Sequence, residues 1–383
     1  MRYLITGGPV HAHLDDVKII TNTFKGGLMA ELAMSLVTLE DSVTYLVPKG
    51  TKIDLAKYVG VFEIIYHNGY HDYRRILKEI SNRYDAVVLG AAVVNLIPKE
   101  PFVGKFPSHN YKVGDVINIP FELAPRVINE VKETMKVGSH LFGFKLLSNV
   151  SYDELISSAY DVLLDSKATA VFANDKRDLN EVYVVTKERA VNKISRSEIK
   201  DWIKAFTSDK YYKSNSLDNT VEIGYRVEYG KHSFDVLYDL YKEHFVKSQR
   251  GYVFGSISVR SQDGFITTCR GKQEMNGDLV YVKNVDHDSL NVNYFGKVKP
   301  SLNTPLIDSI FKLDSSIYCV VHYHEKIEGC ISFPYAPPGT KRDSDRDLQK
   351  IDIEEFFEKP VCFNVEGHGC YIILTNKAMR IIA

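Results

Sequence analysis

The run Ser316-Ile317-Tyr318-Cys319-Val320-Val321 ends in His322-Tyr323-His324, and this confines the chain more than any other feature. An apolar stretch rich in β-formers predicts a strand. Strand side chains alternate with period 2, so His322 and His324 point to one face. A third imidazole, from a distant strand at Gly367-His368-Gly369, completes a set of three. Catalytic zinc is usually held in this way, with one position open for substrate or water. Taken alone, an HxH pair fits a chance pair of surface or core histidines as well; the surrounding sequence has to decide.

The first half is patterned differently. Tyr3–Thr6 reads as a buried strand running into Gly7-Gly8-Pro9, and glycines there let the backbone turn tightly and approach a phosphate. No complete G-x-G-x-x-G follows, so a generic dinucleotide site is not specified. Gly26-Gly27 precede a helix with apolar positions Leu28, Leu32, Ala33 and Leu36. Val43–Val47 and Ala86–Val93 predict a second and a third strand, with helical stretches such as Tyr73–Tyr84 between. This alternation predicts an α/β, doubly wound, Rossmann-like parallel sheet with ligands at the carboxyl ends of its strands.

Six blocks over residues 1 to about 205 carry a family resemblance: Ile5-Thr6-Gly7-Gly8, Val17-Lys18 with Thr21-Asn22, Ala91-Ala92-Val93, Gly104-Lys105-Phe106-Pro107-Ser108, Phe142–Leu147 and Ala173-Asn174-Asp175. In this order they resemble the phosphopantothenate–cysteine ligase family, in the short form of its stand-alone members. The flavin-binding half of the bifunctional relatives has no counterpart here, so no FMN is implied. The resemblance implies activation of a carboxylate by CTP or ATP with Mg²⁺, then displacement of the nucleotide by an amine. It places Lys105 as the catalytic lysine, Asn22 at the acyl intermediate and Lys18 where the family carries arginine. Gly7 and Gly8 fall near the phosphates; Ala91, Ala92, Phe144, Asn174 and Asp175 fall around the nucleotide. Lysine for arginine loses bidentate recognition of an anion, which opens the identity of the acid substrate. Read without the family, Lys105 is a plain solvated lysine, and Asn22 shapes a turn or caps a helix. His11 and His13, in a loop beside Pro9, read as a coincidental surface pair.

A second set of blocks begins near residue 233. Gly255–Arg260, Asp263–Thr268, Gly271-Lys272, Asp278-Leu279-Val280, Lys299–Leu306, the histidine strand, Pro334–Thr340 and Gly367-His368-Gly369 follow one another. They resemble the class II aldolase/adducin family over residues 233–383. That resemblance implies Zn²⁺ on His322, His324 and His368 and a substrate phosphate at Gly271 and Ser301. The usual second phosphate serine is Leu302, and the proton-transferring glutamate is Asn303, which cannot titrate. Glu325, Asp343 and Asp345 are the candidate replacement acids, and each reads as a solvated loop charge.

The chain of 383 residues suits two or three domains. The expected division is a ligase-like domain at 1–207, a polar linker at 208–232 and an aldolase-like domain at 233–383. A net charge of −1 gives no basic field, so nucleic acid is not an expected partner. The five cysteines include no CxxC and predict reduced, buried thiols in a cytoplasmic protein. No leader pattern or apolar run near eighteen residues is seen, so secretion and membrane spanning are not expected. Both families imply a homo-oligomer, dimer or tetramer. Three readings follow: two catalytic domains; one catalytic domain joined to an assembly or ligand-binding module, the aldolase-like half being the candidate module because of Asn303; or a metabolite-binding scaffold.

Overall fold

The computed structural model describes residues 1–51, 61–217, 220–248, 250–352 and 359–382. The chain divides into two compact units, Met1–Lys187 with Lys193–Thr207 and Glu188–Asn192 with Ser208–Ala383.

The first unit is the doubly wound α/β sheet the alternation predicts. Its elements are β1 (Arg2–Thr6), α1 (Gly27–Leu36), β2 (Ser42–Pro48), β3 (Phe62–His67), α2 (Tyr70–Ile80), β4 (Ala86–Leu89), α3 (Val127–Thr134), β5 (His140–Leu147), α4 (Tyr152–Ser166), β6 (Ala170–Asp175), β7 (Asp178–Thr186), β8 (Val191–Ser195) and α5 (Ile199–Ser208). The strand order is β8-β7-β6-β5-β4-β1-β2-β3. Strands β1 to β6 run parallel, and β7 turns back antiparallel on β6. Their continuous apolar runs, with Leu4, Ile5, Val87, Val88, Phe142 and Phe172 fully buried, suit strands covered on both faces. From β1 the chain builds β2 and β3 on one side, then returns to place β4 on the other. The order therefore reverses between β1 and β4, the place where open α/β sheets bind ligands.

The third predicted strand is shorter than its apolar run. β4 ends at Leu89, and Ala92–Val93 instead pairs with Pro9–Val10 in a separate two-residue ladder. The helix expected at 73–84 starts earlier, after Gly69 at φ 87°.

The second unit is built on a nine-stranded sheet. It comprises β9 (Lys213–Ser216), α6 (Thr220–Tyr241), β10 (Ser256–Ser261), β11 (Gly264–Thr268), β12 (Leu279–Asp286), β13 (Asn291–Phe295), α7 (Thr304–Leu313), β14 (Ile317–Tyr323), β15 (Ile331–Phe333), α8 (Lys341–Ser344), β16 (Val361–Val365), β17 (Gly369–Thr375) and α9 (Asn376–Ile382). The order is β9-β13-β12-β11-β10-β14-β17-β16-β15. Phe234 and Leu237 of α6 pack into a core with Ile257, Val259, Cys319, Val321, Ile372 and Leu374. Each such buried side chain contributes about 1.5–3 kcal/mol.

Two expectations are corrected here. The polar segment 208–232 is not a free linker: Lys213–Ser216 pairs parallel with β13, and α6 begins at Thr220. A strand at a sheet edge can be polar because its outer groups face water, so composition alone misreads it. Nor are all five cysteines thiols. Cys330 and Cys362 form a disulfide, because β15 and β16 pair in parallel and bring them to a Cα–Cα distance of 5.8 Å. Cys269, Cys319 and Cys370 are free and buried. Among the described residues no helix is long and apolar enough to cross a membrane.

Candidate functional sites

In the first unit the predicted residues collect at the carboxyl edge of the parallel sheet. The Gly7 amide donates to Leu46 O at 3.1 Å, and Ala92 donates to Gly8 O at 3.0 Å. Asn22 Nδ2 donates to Ala92 O at 2.9 Å. A Cβ on Gly26, which sits at φ 82°, would stand 2.5 Å from the Gly8 nitrogen. Gly7, Gly8, Asn22, Ala91 and Ala92 are thereby drawn together at the β1/β4 reversal. Phe144, on β5, stacks on Phe172 with ring centroids 5.2 Å apart. Asn174 and Asp175 end β6, one strand farther out. Asp175 is already engaged: it accepts from the amides of Val150 and Arg177 and pairs with the Arg177 guanidinium at 2.9 Å.

Lys105 is exposed, on a loop that the turn after β1 holds in place. Gly104 exchanges hydrogen bonds with Asp16, to the carboxylate and to the backbone, both at 3.0 Å. The Phe106 amide donates to Asp15 Oδ2 at 2.9 Å, and Lys18 Nζ donates to the same oxygen at 3.0 Å. Asp15, which no sequence motif marks as functional, therefore ties Lys18 to the backbone that follows Lys105.

In the second unit, the register aligns Ser256 with His322 and His322 with Tyr371 across β10, β14 and β17. His324 lies one residue beyond β14 and His368 one before β17. The three ring centroids are 4.6–5.1 Å apart, and their ligand nitrogens all lie within 4.8 Å of one another. Glycines make the approach possible. A Cβ on Gly369, at φ 113°, would fall 2.1 Å from Tyr323 O and 2.5 Å from His324 Cα.

The donor set fits a metal ion. His322 Nδ1 donates to Cys370 O at 2.8 Å, which leaves Nε2 as a lone-pair donor. That Nε2 and His368 Nδ1 are buried and make no hydrogen bond. A buried polar atom without a partner costs about 1–3 kcal/mol, a cost that a bound cation would remove. Burial pushes the His322 pKa down to about 4 and holds His324 and His368 well below the usual range, so all three are neutral donors at pH 7. Tyr371 stacks on His322 at 4.3 Å.

The substrate-phosphate candidates lie on adjoining segments. Ser301 N donates to Thr268 O at 3.0 Å and Arg270 N to Lys299 O at 2.8 Å, which sets the Gly271 turn beside Ser301. Asn303 is buried just before α7, with its Oδ1 unpartnered. Lys272, beside Gly271, is buried and donates Nζ to Gly255 O at 2.6 Å. Of the three replacement acids, Glu325 is an exposed loop charge paired with His244 and Asp345 pairs with Lys341. Asp343 corrects the expectation of a solvated charge: it is 1% exposed, pairs with Arg346 at 2.7 Å and leaves Oδ2 unpartnered. Burial pushes its pKa up to about 6.

Residues 1–208 match the family described as the DNA/pantothenate metabolism flavoprotein C-terminal domain. The chain belongs to that family. Among curated proteins, the chain is 27% identical over 203 residues to the coenzyme A biosynthesis bifunctional protein CoaBC of Thermococcus kodakarensis. The match covers 49% of this chain and 46% of that protein, so the chain spans about half the length of this relative. Among solved structures, the DNA/pantothenate metabolism flavoprotein from Streptococcus pneumoniae is 20% identical, over 53% of this chain and 96% of that one, with a TM-score of 0.46. An L-fuculose 1-phosphate aldolase aligns with 43% of this chain and 81% of its own, at 15% identity and a TM-score of 0.27.

Within the flavoprotein-family half, Asp15 had a visible signal: it closes the turn that leads to Lys18 in one of the blocks quoted above. Lys272 stands in the Gly271-Lys272 block, but its burial carries no mark in the sequence, and neither does the stacking of Tyr371 on His322.

Proposed function

We propose that the chain is a two-domain enzyme. Its first domain joins a carboxylate to an amine at the expense of CTP or ATP, in the manner of phosphopantothenoylcysteine synthesis. Its second is a zinc-dependent, aldolase-like lyase. The observation that carries the first part is the convergence of Gly7, Gly8, Asn22, Ala91 and Ala92 at the sheet's reversal point, in a chain of this family. There the substrate carboxylate oxygen attacks the α-phosphorus and pyrophosphate leaves. The amine then attacks the acyl carbon and the nucleoside monophosphate departs. Lys105 neutralises the charge that builds on the α-phosphate, and the Asn22 amide holds the mixed anhydride. Mg²⁺ travels with the nucleotide phosphates.

In the second domain, His322, His324 and His368 hold the ion. When bound, zinc supplies Lewis-acid polarisation of a substrate carbonyl. Cys370 O orients His322, Gly271 and Ser301 receive a phosphate, and Asp343, buried and with one carboxylate oxygen unpartnered, is the acid assigned to exchange a proton. The alternative reading keeps only one catalytic domain, the other being an assembly or ligand-binding module. Asn303 favours it, since no proton can be taken at that position.

Pyrophosphate release tests the first part. The full chain with Mg²⁺ and a panel of carboxylates and amines is expected to release pyrophosphate with CTP or ATP, and K105M to lose at least ~100-fold of that rate. Equal rates for wild type and K105M, or none with any nucleotide, would remove the ligase reading. Lyase turnover lost in H322A but retained in K105M separates the two domains.

A further inference from the structure

We propose that the first unit holds a second transition-metal site, formed by His11, His13 and His67. The sequence reads His11 and His13 as a surface pair; the structure seats them otherwise. Their ring centroids are 4.8 Å apart, within the 4.6–5.1 Å range of the pairs at the His322 site. His13 Nε2 is buried and makes no hydrogen bond. His67, the last residue of β3, is 0% exposed, and its ring nitrogens have no side-chain partner, only the backbone of Gly69 acting on the ring. Buried imidazole nitrogens without side-chain partners in one part of a protein interior call for an occupant, since a buried polar atom left unpaired is destabilising.

The backbone around them is fixed. Tyr70 N donates to His11 O at 2.8 Å, Lys49 N donates to His67 O at 3.0 Å, and Ala12–His13 pairs with Ile19–Ile20. Gly69, at φ 87°, keeps the intervening space open. A Cβ there would stand 3.0 Å from His11 O and 3.3 and 3.4 Å from the Cδ2 atoms of His13 and His11. A cavity of about 230 Å³ lined by His13, Asn68, Tyr70, His71 and Asp72 opens onto His13, one of the three histidines.

The electrostatics select the class of ion. Burial and the charge of neighbouring histidines hold His11 and His67 below their ordinary pKa, His67 down to about 4. Asp72 is the carboxylate acting on His67, and it is already paired with Arg75 at 2.7 Å. A neutral, all-imidazole set suits Zn²⁺, Co²⁺, Ni²⁺ or Cu²⁺, and not Mg²⁺ or Ca²⁺. Among the described residues only the His322 set already has every ligand atom within 4.8 Å. Ion binding in the first unit therefore requires the partly exposed His11 ring to turn toward His67, and this site is the weaker of the two. β3 lies beyond β2, on the side of β1 opposite β4, β5 and β6. The ion uses none of the groups assigned to the nucleotide.

The test is a cobalt titration of the metal-free full chain carrying H322A, H324A and H368A, followed by visible absorption. One further equivalent of Co²⁺ is expected, with binding weakened at least ~10-fold when H11A and H13A are added. Both added changes are at partly exposed positions, and far-UV circular dichroism checks the fold. An unchanged titration in H11A/H13A, or no Co²⁺ bound once the His322 set is gone, overturns the proposal. The readout is independent of either activity.

Discussion

Phe106 donates its amide to Asp15 Oδ2 at 2.9 Å, and this bond joins the turn after β1 to the loop that bears Lys105. Asp15 also accepts from the Val17 amide at 2.8 Å and from Lys18. These donors, the Phe106 amide first, hold its carboxyl well below the usual carboxylate range. A depressed folded-state pKa contributes stability at neutral pH that is lost as pH falls through that value. D15N is expected to flatten the acid side of the thermal-midpoint profile below about pH 5, where the unfolded chain begins to take up the proton that the folded carboxyl refuses, and to lower nucleotide-dependent turnover ~10-fold through displacement of Lys105. An unchanged profile and rate would show that Asp15 does not position the loop.

The His322 set makes a separate prediction about metal content. Because Cys370 O fixes the tautomer of His322, H322A removes a ligand already oriented for the ion. Zinc per chain is expected to fall by about one equivalent relative to wild type after dialysis, with H368A behaving alike. Plasma emission spectrometry checks it. An undiminished zinc content in both variants would mean that these histidines do not hold the ion.

Much of this arrangement was legible in the sequence, and the reasons are local. His322 stands next to last in the strand that the run of β-formers announces, and His324 follows one residue past its end, so the pair stays together although the strand does not carry both. The parallel sheet announced itself through buried apolar runs alternating with helices. What escaped was set by distant pairing. β9 is polar because it is an edge strand, so 208–232 passed for a linker. Cys330 meets Cys362 only because β15 pairs with β16. Asp343 has the sequence setting of a surface loop, and its burial depends on packing that no local pattern encodes.

Lys272 should leave a mark on the pH dependence of stability. Burial pushes its pKa down to about 8 from an ordinary value near 10.5. Between these values the unfolded chain binds the proton that the folded chain has released, so stability rises with pH across that window. The whole effect is roughly 3 kcal/mol. Chemical denaturation of the metal-free protein from pH 7 to pH 10.5 is expected to show this rise, and K272M to remove it while raising stability at pH 7. A flat wild-type profile would place the ammonium in water.

The disulfide ties the two ligand-bearing segments of the His322 site to each other. Cys330 closes the segment that leaves His324, and Cys362 lies on β16, which pairs with β17 just after His368. Asn364 adds to the clasp, accepting from Ile327 N at 2.9 Å and donating to Ile327 O at 2.8 Å. The closed loop spans 32 residues, and cross-linking a loop of that size restricts the unfolded chain by roughly 3 to 4 kcal/mol in the chain-entropy account. A thiol reductant is therefore expected to lower the thermal midpoint of the wild-type chain and to weaken zinc retention, because reduction frees the segment after His324. C330S/C362S should start at the lower midpoint and not respond to reductant. If wild type and the double variant melt together in both conditions, the two strands hold the site without the covalent link.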